Sequence, residues 1–160
     1  MIPDFSPLSD QQASSLDSFL HEMAQRGFLW TRSKTKDLIY TATKRPHKKS
    51  IVKLTLSKQG DVCLWLRFSA SSNYSNHFRS KLIATLEEDG FKYVGCYAGC
   101  IECDTPIGYH VDCPQGHFFR CHKELINVGP IELVPIGEAL SMIDTQHNFE
   151  SAMCHKEVRV

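Results

Sequence analysis

The sequence predicts an α+β fold: an N-terminal helix, an antiparallel sheet of about four strands, a second helix, a cysteine-rich β-hairpin and a C-terminal helix. The spacing of apolar residues supports this, because it changes along the chain from a helical period to strand alternation and back. The 160 residues are 42% hydrophobic and 22% charged, ordinary values for a domain with a sizeable core. We expect one domain over 1–160, divided into an α+β core (1–94), a Cys/His-rich hairpin (95–125) and a C-terminal helix with its tail (126–160).

The N-terminal helix is predicted from a capping box and one apolar face. Ser9 and Gln12 have the spacing at which each side chain bonds to the backbone N–H of the other at a helix start. Gly27 is placed to end the helix. The apolar residues at helical spacing between them are Leu16, Phe19, Leu20 and Met23.

Four strands are expected where the apolar period changes, over 28–32, 37–43, 50–57 and 61–68. A turn at Lys58-Gln59-Gly60 joins the last two strands. One side of the fourth strand is apolar and faces the core. The other side carries Cys63, Trp65 and Arg67, which either form a second packing face or line a small-ligand pocket beneath a helix.

Two further helices follow. The second is expected from about Ser75 to Glu88, with Gly90 placed to end it. Its apolar residues are Phe78, Leu82, Ile83 and Leu86. The third is expected after Pro135, because a proline commonly occupies the start of a helix. Its predicted inward stripe contains Ile136, Leu140, Ile143 and His147.

Seven cysteines and an N-terminus without a basic region followed by an apolar run predict a cytoplasmic protein with reduced thiols. We expect no membrane contact, since no run of about 18 apolar residues occurs. A cluster within the 26 residues from Cys96 to Cys121 contains Cys96, Cys100, Cys103, Cys113, Cys121, His110 and His117. Inside cells such a cluster is more typical of metal binding or catalysis than of disulfides.

Zinc is the metal that the cluster fits best, because thiolates and imidazoles in a tetrahedron are its usual ligands. Three of the cysteines fall within one loop, where Gly95 and Gly99 let the backbone curl. The predicted ligands are Cys96, Cys100, Cys103 and Cys121, and the reserve ligands are His110, Cys113 and His117. We predict a structural site, in which all four positions are filled by protein.

The register of the hairpin decides which residue completes the site. A turn at residues 115–116 places His110 opposite Cys121 on one face. The same turn places Cys113 opposite Phe118 on the other face. A rival ligand set that the sequence leaves open has the spacing C-x2-C-x9-C-x3-H and comprises Cys100, Cys103, Cys113 and His117.

The end of the hairpin carries a resemblance. Gly116-His117-Phe118-Phe119-Arg120-Cys121 follows a Cys trio within about eight residues and precedes a predicted helix. This arrangement resembles a group of small, uncharacterised bacterial proteins with a Cys trio, a hairpin containing Gly-x-x-aromatic-x-Cys and a closing helix. The resemblance covers about the last third of the chain, does not include Cys113, and implies no activity.

Unligated structural thiols and redox or nucleophilic chemistry are the other interpretations of the cluster. A reactive C-x-x-C pair usually gains a low pKa from the start of a helix, whereas Pro106 closely follows Cys103 here. Glu102 and Asp104 also oppose a thiolate. A metal-dependent hydrolase would need a three-ligand site plus a base such as Glu102. The sequence therefore favours a binding role over catalysis.

The zero formal charge hides an uneven distribution. Residues 1–86 carry 13 Lys/Arg against 6 Asp/Glu, and residues 87–160 carry 5 against 12. The basic excess is concentrated in 32–53, where it can bind nucleic acid or a phosphate-bearing ligand, or protect a sheet edge from self-association. The predicted contact residues are Arg32, Lys34, Lys44, Arg45, Lys48 and Lys49. The two oppositely charged halves could also meet in a homodimer.

The sequence thus predicts a small cytoplasmic protein with a structural zinc site and a binding or regulatory role. Nucleic-acid binding through the segment 32–53 and thiol- or metal-dependent catalysis are the alternatives. The sequence contains no glycine-rich phosphate loop, nucleophile elbow or H-E-x-x-H motif, which excludes the best-marked enzyme classes.

Overall fold

The computed structural model describes residues 1–47, 49–91 and 108–157, with side chains described to residue 154. The helices are α1 (Asp10–Gln25), α2 (Asn76–Glu88) and α3 (Ile136–Glu157), and a short 3-10 helix (Ile131–Leu133) precedes α3. The strands are β1 (Leu29–Arg32), β2 (Ile39–Thr43), β3 (Val52–Leu56), β4 (Val62–Leu66), β5 (Gly108–Cys113), β6 (Gly116–Cys121) and β7 (Ile126–Pro130). The predicted α+β class is confirmed.

The main sheet has five antiparallel strands in the order β1-β2-β3-β4-β7, instead of the predicted four or so. The additional strand, β7, pairs with β4 across a register irregularity between Leu64 and Trp65. This strand was not predicted, because residues 126–160 were assigned only to the C-terminal helix and its tail, and Gly129-Pro130 is a pair typical of a turn. In the structure Gly129 has a φ of +104°, which glycine adopts without steric cost, and Pro130 lies at the end of the strand.

One face of the sheet packs against α1. The predicted capping box of Ser9 and Gln12 forms, and all four predicted apolar residues of α1 are buried. The ring of Phe19 meets the ring of Trp30 edge to face, with 6.4 Å between centroids. The buried residues of β1 to β4 on this face are Trp30, Tyr40, Ala42, Val52, Leu54, Val62, Leu64 and Leu66. This face therefore forms the main core.

The β5-β6 hairpin is a separate two-stranded sheet, and Phe68 connects it to the rest of the fold. The fully buried ring of Phe68 lies 5.1 to 5.7 Å from the rings of Tyr74, Phe78 and Tyr109. The Phe68 N–H donates to the Tyr109 hydroxyl at 3.0 Å, and that hydroxyl donates to the Glu124 carbonyl at 2.8 Å. Burial raises the pKa of Tyr109, which keeps its hydroxyl protonated as a donor.

Candidate functional site

The hairpin register differs by two residues from the prediction. Cys113 lies opposite Gly116, so the two-residue turn is Pro114-Gln115 and not 115–116. Moving a turn by one residue shifts every cross-strand partner by two, which leaves each side chain on its expected face. The physical reason is Pro114, which has no N–H for a strand ladder and a φ suited to a turn.

Cys121, the predicted fourth zinc ligand, lies opposite Gly108 and not opposite His110. Its side chain is buried, and Gly108 is the first described residue after the segment that carries the Cys trio. The trio itself, Cys96, Cys100 and Cys103, lies outside the described residues. Within 1–47, 49–91 and 108–157, no group of three or more His, Cys, Asp or Glu residues could hold a metal ion.

The reserve ligands lie on two different faces of the hairpin. Cys113 packs against the hydrophobic core, and its Sγ lies 3.6 Å from the Gly116 carbonyl. His117 is on the exposed face, where its Nδ1 donates to Asp112 at 2.8 Å. His110 stacks on His117, with 3.4 Å between His110 Nδ1 and His117 Nε2. Cys113 and His117 therefore do not converge, contrary to what the rival ligand set needs.

The basic residues of 32–53 lie at two ends of the sheet. Arg32 and Lys34 are at the β1-β2 turn, whereas Lys44, Arg45 and Lys49 follow the far end of β2. A strand of five residues separates the groups by about 17 Å. Lys44 lies over the ring of Phe28, with Nζ 5.5 Å from the centroid. Lys48 is outside the described residues. The predicted contact residues that the structure describes therefore fall into two groups at opposite ends of the sheet.

A cavity of about 810 Å³ lies between α2 and the strands β4 and β7. Strand β4 contributes Cys63 and Trp65 to its wall, as the pocket interpretation of that strand predicted, while Arg67 lies elsewhere. The α2 residues that line the cavity are Lys81, Ala84, Thr85 and Glu88, and the β7 residues are Asn127, Gly129 and Pro130. The α2 residues follow the spacing i, i+3, i+4, i+7, so they form one stripe beside the buried apolar stripe.

The β4 side of the cavity is held in place by its neighbours. The Trp65 indole N–H donates to the Thr55 hydroxyl at 3.0 Å, and Lys53 Nζ lies 3.8 Å from the Trp65 ring centroid. Cys63 is buried, and burial raises the pKa of its thiol. At neutral pH this wall therefore presents a fixed aromatic ring and an uncharged thiol.

The charged groups of the cavity fall into two sets. At one end the buried guanidinium of Arg120 binds the carboxylates of Asp89 and Glu124. Burial by itself would lower the pKa of Arg120. The hydrogen bonds and charges of Glu124 and Asp89 raise this pKa by more than burial lowers it, so the guanidinium stays charged. On the α2 wall, Lys81 is half-buried and has no ion pair among the contacts described.

The side chain of Lys81 lies close against the backbone of β7 at Gly129, where there is no side chain in its way. A Cβ at residue 129 would lie 3.3 Å from Lys81 Nζ, and the φ of +104° disfavours any side chain. We expect Gly129→Ala to lower the free energy of unfolding by about 1–3 kcal/mol, because the backbone is strained and Lys81 must move. Urea denaturation measures this change. Gly137→Ala is the control, since a Cβ there meets nothing within 4 Å; an equal loss in both variants would contradict the explanation.

A buried polar cluster joins the β2-β3 loop to α3. Glu150, with 1% of its side chain exposed, accepts from Lys49 at 2.9 Å and Arg67 at 3.2 Å. Gln146 donates to the same carboxylate at 3.2 Å. Burial raises the pKa of Glu150, but Lys49, the charge of Arg67 and the hydrogen bond from Gln146 together lower it below its ordinary value. The cluster is thus an ionised anchor for α3, although the buried Arg67 Nε has no hydrogen-bond partner among the described residues.

Beside this anchor two buried imidazoles form a hydrogen-bonded pair, with His47 Nε2 2.8 Å from His147 Nδ1. Burial lowers both pKa values below the ordinary 6.5. The positive charges of Lys49 and Arg67 also lower the pKa of His47, whereas the negative charge of Glu150 raises it. In the same way Lys44 lowers the pKa of His147 and Asp144 raises it. Both rings are therefore uncharged at neutral pH.

This pair makes stability dependent on pH. Below pH 6.5 the unfolded chain takes up protons that the folded chain resists, so the free energy of unfolding falls as pH falls. We expect a loss of about 1–2 kcal/mol between pH 7 and 5.5, measured by urea denaturation at each pH. Replacing both His47 and His147 with Gln should reduce this slope, and the same substitution at the exposed His21 serves as the matched control. An unchanged slope in the double variant would refute this origin.

Comparison of the chain with protein-family models, curated proteins and solved structures gives no match. Among the helices described, none has the length and hydropathy of a bilayer-spanning segment. The case for a function therefore rests on the geometry of the cavity, the hairpin and the buried polar cluster.

Proposed function

We propose that the protein is a small-molecule-binding protein whose ligand occupies the cavity between α2, β4 and β7. The observation that carries this proposal is the size and lining of the cavity. Its volume of about 810 Å³ falls in the range of about 300–1,000 Å³ that is typical of small-ligand sites. The lining combines apolar groups such as Trp65 and Pro130 with polar groups such as Lys81 and Asn127, and polar groups that orient a ligand beside an apolar wall are typical of such sites.

The lining supports binding more than catalysis. Cys63 is the thiol in the cavity wall, and its raised pKa keeps it in the unreactive protonated form. Arg120 is engaged by two carboxylates. The described lining residues include no histidine that could serve as a base beside Cys63. These groups can hold and orient a ligand without reacting with it.

A cavity-filling variant tests the proposal. Ala84→Trp places an indole inside the cavity, whereas Ser80→Trp places one on the exposed face of the same helix. We expect 2-naphthoate or 2-naphthamide to bind the parent and Ser80→Trp with a Kd of about 0.1–1 mM and to bind Ala84→Trp at least tenfold more weakly. Calorimetry on folded variants measures this. Equal binding by all three proteins would exclude the cavity as the site.

We also propose that a structural zinc ion holds the hairpin, with Cys96, Cys100, Cys103 and Cys121 as its ligands. The observation that favours it is the position of Cys121, a buried thiol directly across from Gly108. Gly108 is only five residues from Cys103 in the chain, so the residues before Gly108 are within reach of Cys121. A zinc ion bound to Cys121 would hold its sulfur as a thiolate, because a thiol loses its proton when it coordinates a metal.

Metal analysis of the purified full-length chain tests the zinc proposal. We expect about one zinc per chain, lost when Cys100 and Cys103 are both replaced by Ser and retained in Cys154→Ser, which alters a cysteine of α3. Chelation should also lower the midpoint of thermal unfolding. A protein that is metal-free and equally stable with and without a chelator would contradict the proposal.

Nucleic-acid binding and homodimer formation stay predictions of the sequence. The basic residues that suggested the first are divided between two ends of the sheet, and Lys49 is already paired with Glu150. A nucleic-acid complex that weakens with rising salt and with loss of Lys44 and Arg45 would support that prediction.

A further inference from the structure

We infer that the ligand of the cavity is a small organic anion with a flat apolar body, whose anionic group binds Lys81 and whose body lies beside Trp65. This inference rests on the proposed binding function and specifies its ligand class. A carboxylate is the simplest such group, and an aromatic ring is the simplest such body.

Lys81 is the cation that a ligand can reach. Its side chain is half-buried against Gly129 and lines the cavity, and no contact described for the chain pairs its ammonium with a carboxylate. An anionic ligand in the cavity can form a charge-assisted hydrogen bond with this ammonium, which is stronger than a hydrogen bond between neutral groups.

Asn127 supplies a second donor at the same wall. Its side-chain oxygen accepts from the Gly129 N–H at 3.0 Å, which assigns the amide orientation and leaves its NH₂ group as a donor. Lys81 on α2 and Asn127 on β7 therefore both present hydrogen-bond donors to the part of the cavity that Gly129 also lines.

The acidic groups of the cavity do not reverse this preference. Both carboxylate oxygens of Glu124 and the Oδ2 of Asp89 already bind Arg120, and Asp89 is half-exposed to water. Glu88 is exposed at the end of α2, where water screens its charge. The anion site is accordingly at Lys81, away from the Arg120 end.

The exposed part of the Trp65 ring favours a ligand whose apolar body is flat. Its indole is fixed by Thr55 and by Lys53, which lies 3.8 Å from the ring centroid. The ring is only partly buried, so part of it is open to a ligand that lies against it. Flat aromatic groups gain more from such a contact than aliphatic groups of equal size, because ring pairs add favourable electrostatics to burial.

Three probes of equal shape and different charge test the inference: 2-naphthoate, 2-naphthamide and 2-naphthylmethylammonium. Calorimetry at pH 7 on the parent chain should show 2-naphthoate binding about tenfold more tightly than 2-naphthamide, with the ammonium probe weakest. Lys81→Met should reduce the difference between acid and amide to less than about twofold. Lys58→Met, which removes an exposed lysine outside the cavity, should preserve it.

The results separate the inference from the function on which it rests. Equal binding of acid and amide, or a preference for the acid that survives in Lys81→Met, would overturn the anion inference while leaving a binding cavity. Failure of all three probes to bind the parent chain would overturn the proposed function and the inference with it. Trp65→Leu should weaken every probe without changing their order, and an altered order would count against the assigned roles.

Discussion

Glu150→Ala is expected to lower the free energy of unfolding by about 3–5 kcal/mol, because it leaves the buried end of Arg67 and the Lys49 ammonium without their counter-ion. Glu150 is itself almost fully buried on α3, and Arg67 follows β4, so the variant also weakens the attachment of α3 to the sheet. Urea denaturation at pH 7 measures the change.

The two cations of this cluster should contribute unequally. Lys49 has 41% of its side chain exposed, so Lys49→Met should cost under about 1 kcal/mol, as for other exposed ion pairs. Arg67 has 11% exposed, so Arg67→Met leaves Glu150 poorly compensated and should cost more than Lys49→Met. A loss below 1 kcal/mol in Glu150→Ala would show that the cluster does not anchor α3.

Phe68→Ala is expected to lower the free energy of unfolding by about 3–5 kcal/mol, through lost burial and the cavity left behind. The ring contacts Tyr74 and Phe78 at the start of α2 and Tyr109 on the hairpin. We therefore also expect hydrogen exchange in the hairpin to become faster, because Phe68 connects the hairpin to α2.

Phe68→Leu is the matched variant, since it keeps most of the apolar volume and should cost about half as much. Faster exchange confined to residues 66–70, with the hairpin unchanged, would contradict the connecting role of the ring.

The helices and the strands β1 to β4 could be predicted because local patterns and burial agree there. Ser9 and Gln12 form the expected capping box, and Gly27 has the positive φ expected at a helix end. The strand β7 could not be predicted, because its Gly129-Pro130 sequence is typical of a turn and becomes a strand only through pairing with β4.

The candidate site was only partly predictable. Cys63 and Trp65 could be assigned to one face of a strand by alternation alone. The contribution of α2 and β7 depends on long-range packing that no local pattern encodes. The polar stripe at Lys81 and Thr85 was a signal in the sequence, since it runs beside an apolar stripe on the same helix.

The hairpin shows how a small error in turn position changes an inferred metal site. The turn was placed at 115–116 because of Gly116. Pro114 has no N–H to donate to a strand ladder, so the turn begins at Pro114, one residue earlier. Cys121 then pairs with Gly108, and His110 with Phe119. The buried pair of His47 and His147 is a tertiary contact 100 residues apart, which sequence periodicity does not reveal.

The most direct test of the central claim, that the cavity is the ligand site, is a titration of ¹⁵N-labelled full-length protein with 2-naphthoate. The largest chemical-shift changes are predicted at the Trp65 indole N–H, the Asn127 side-chain amide and the backbone of α2 near Lys81. The Trp30 indole in the main core serves as an internal control and should not shift. Saturable changes centred away from the cavity, for example around Arg45, would contradict the claim.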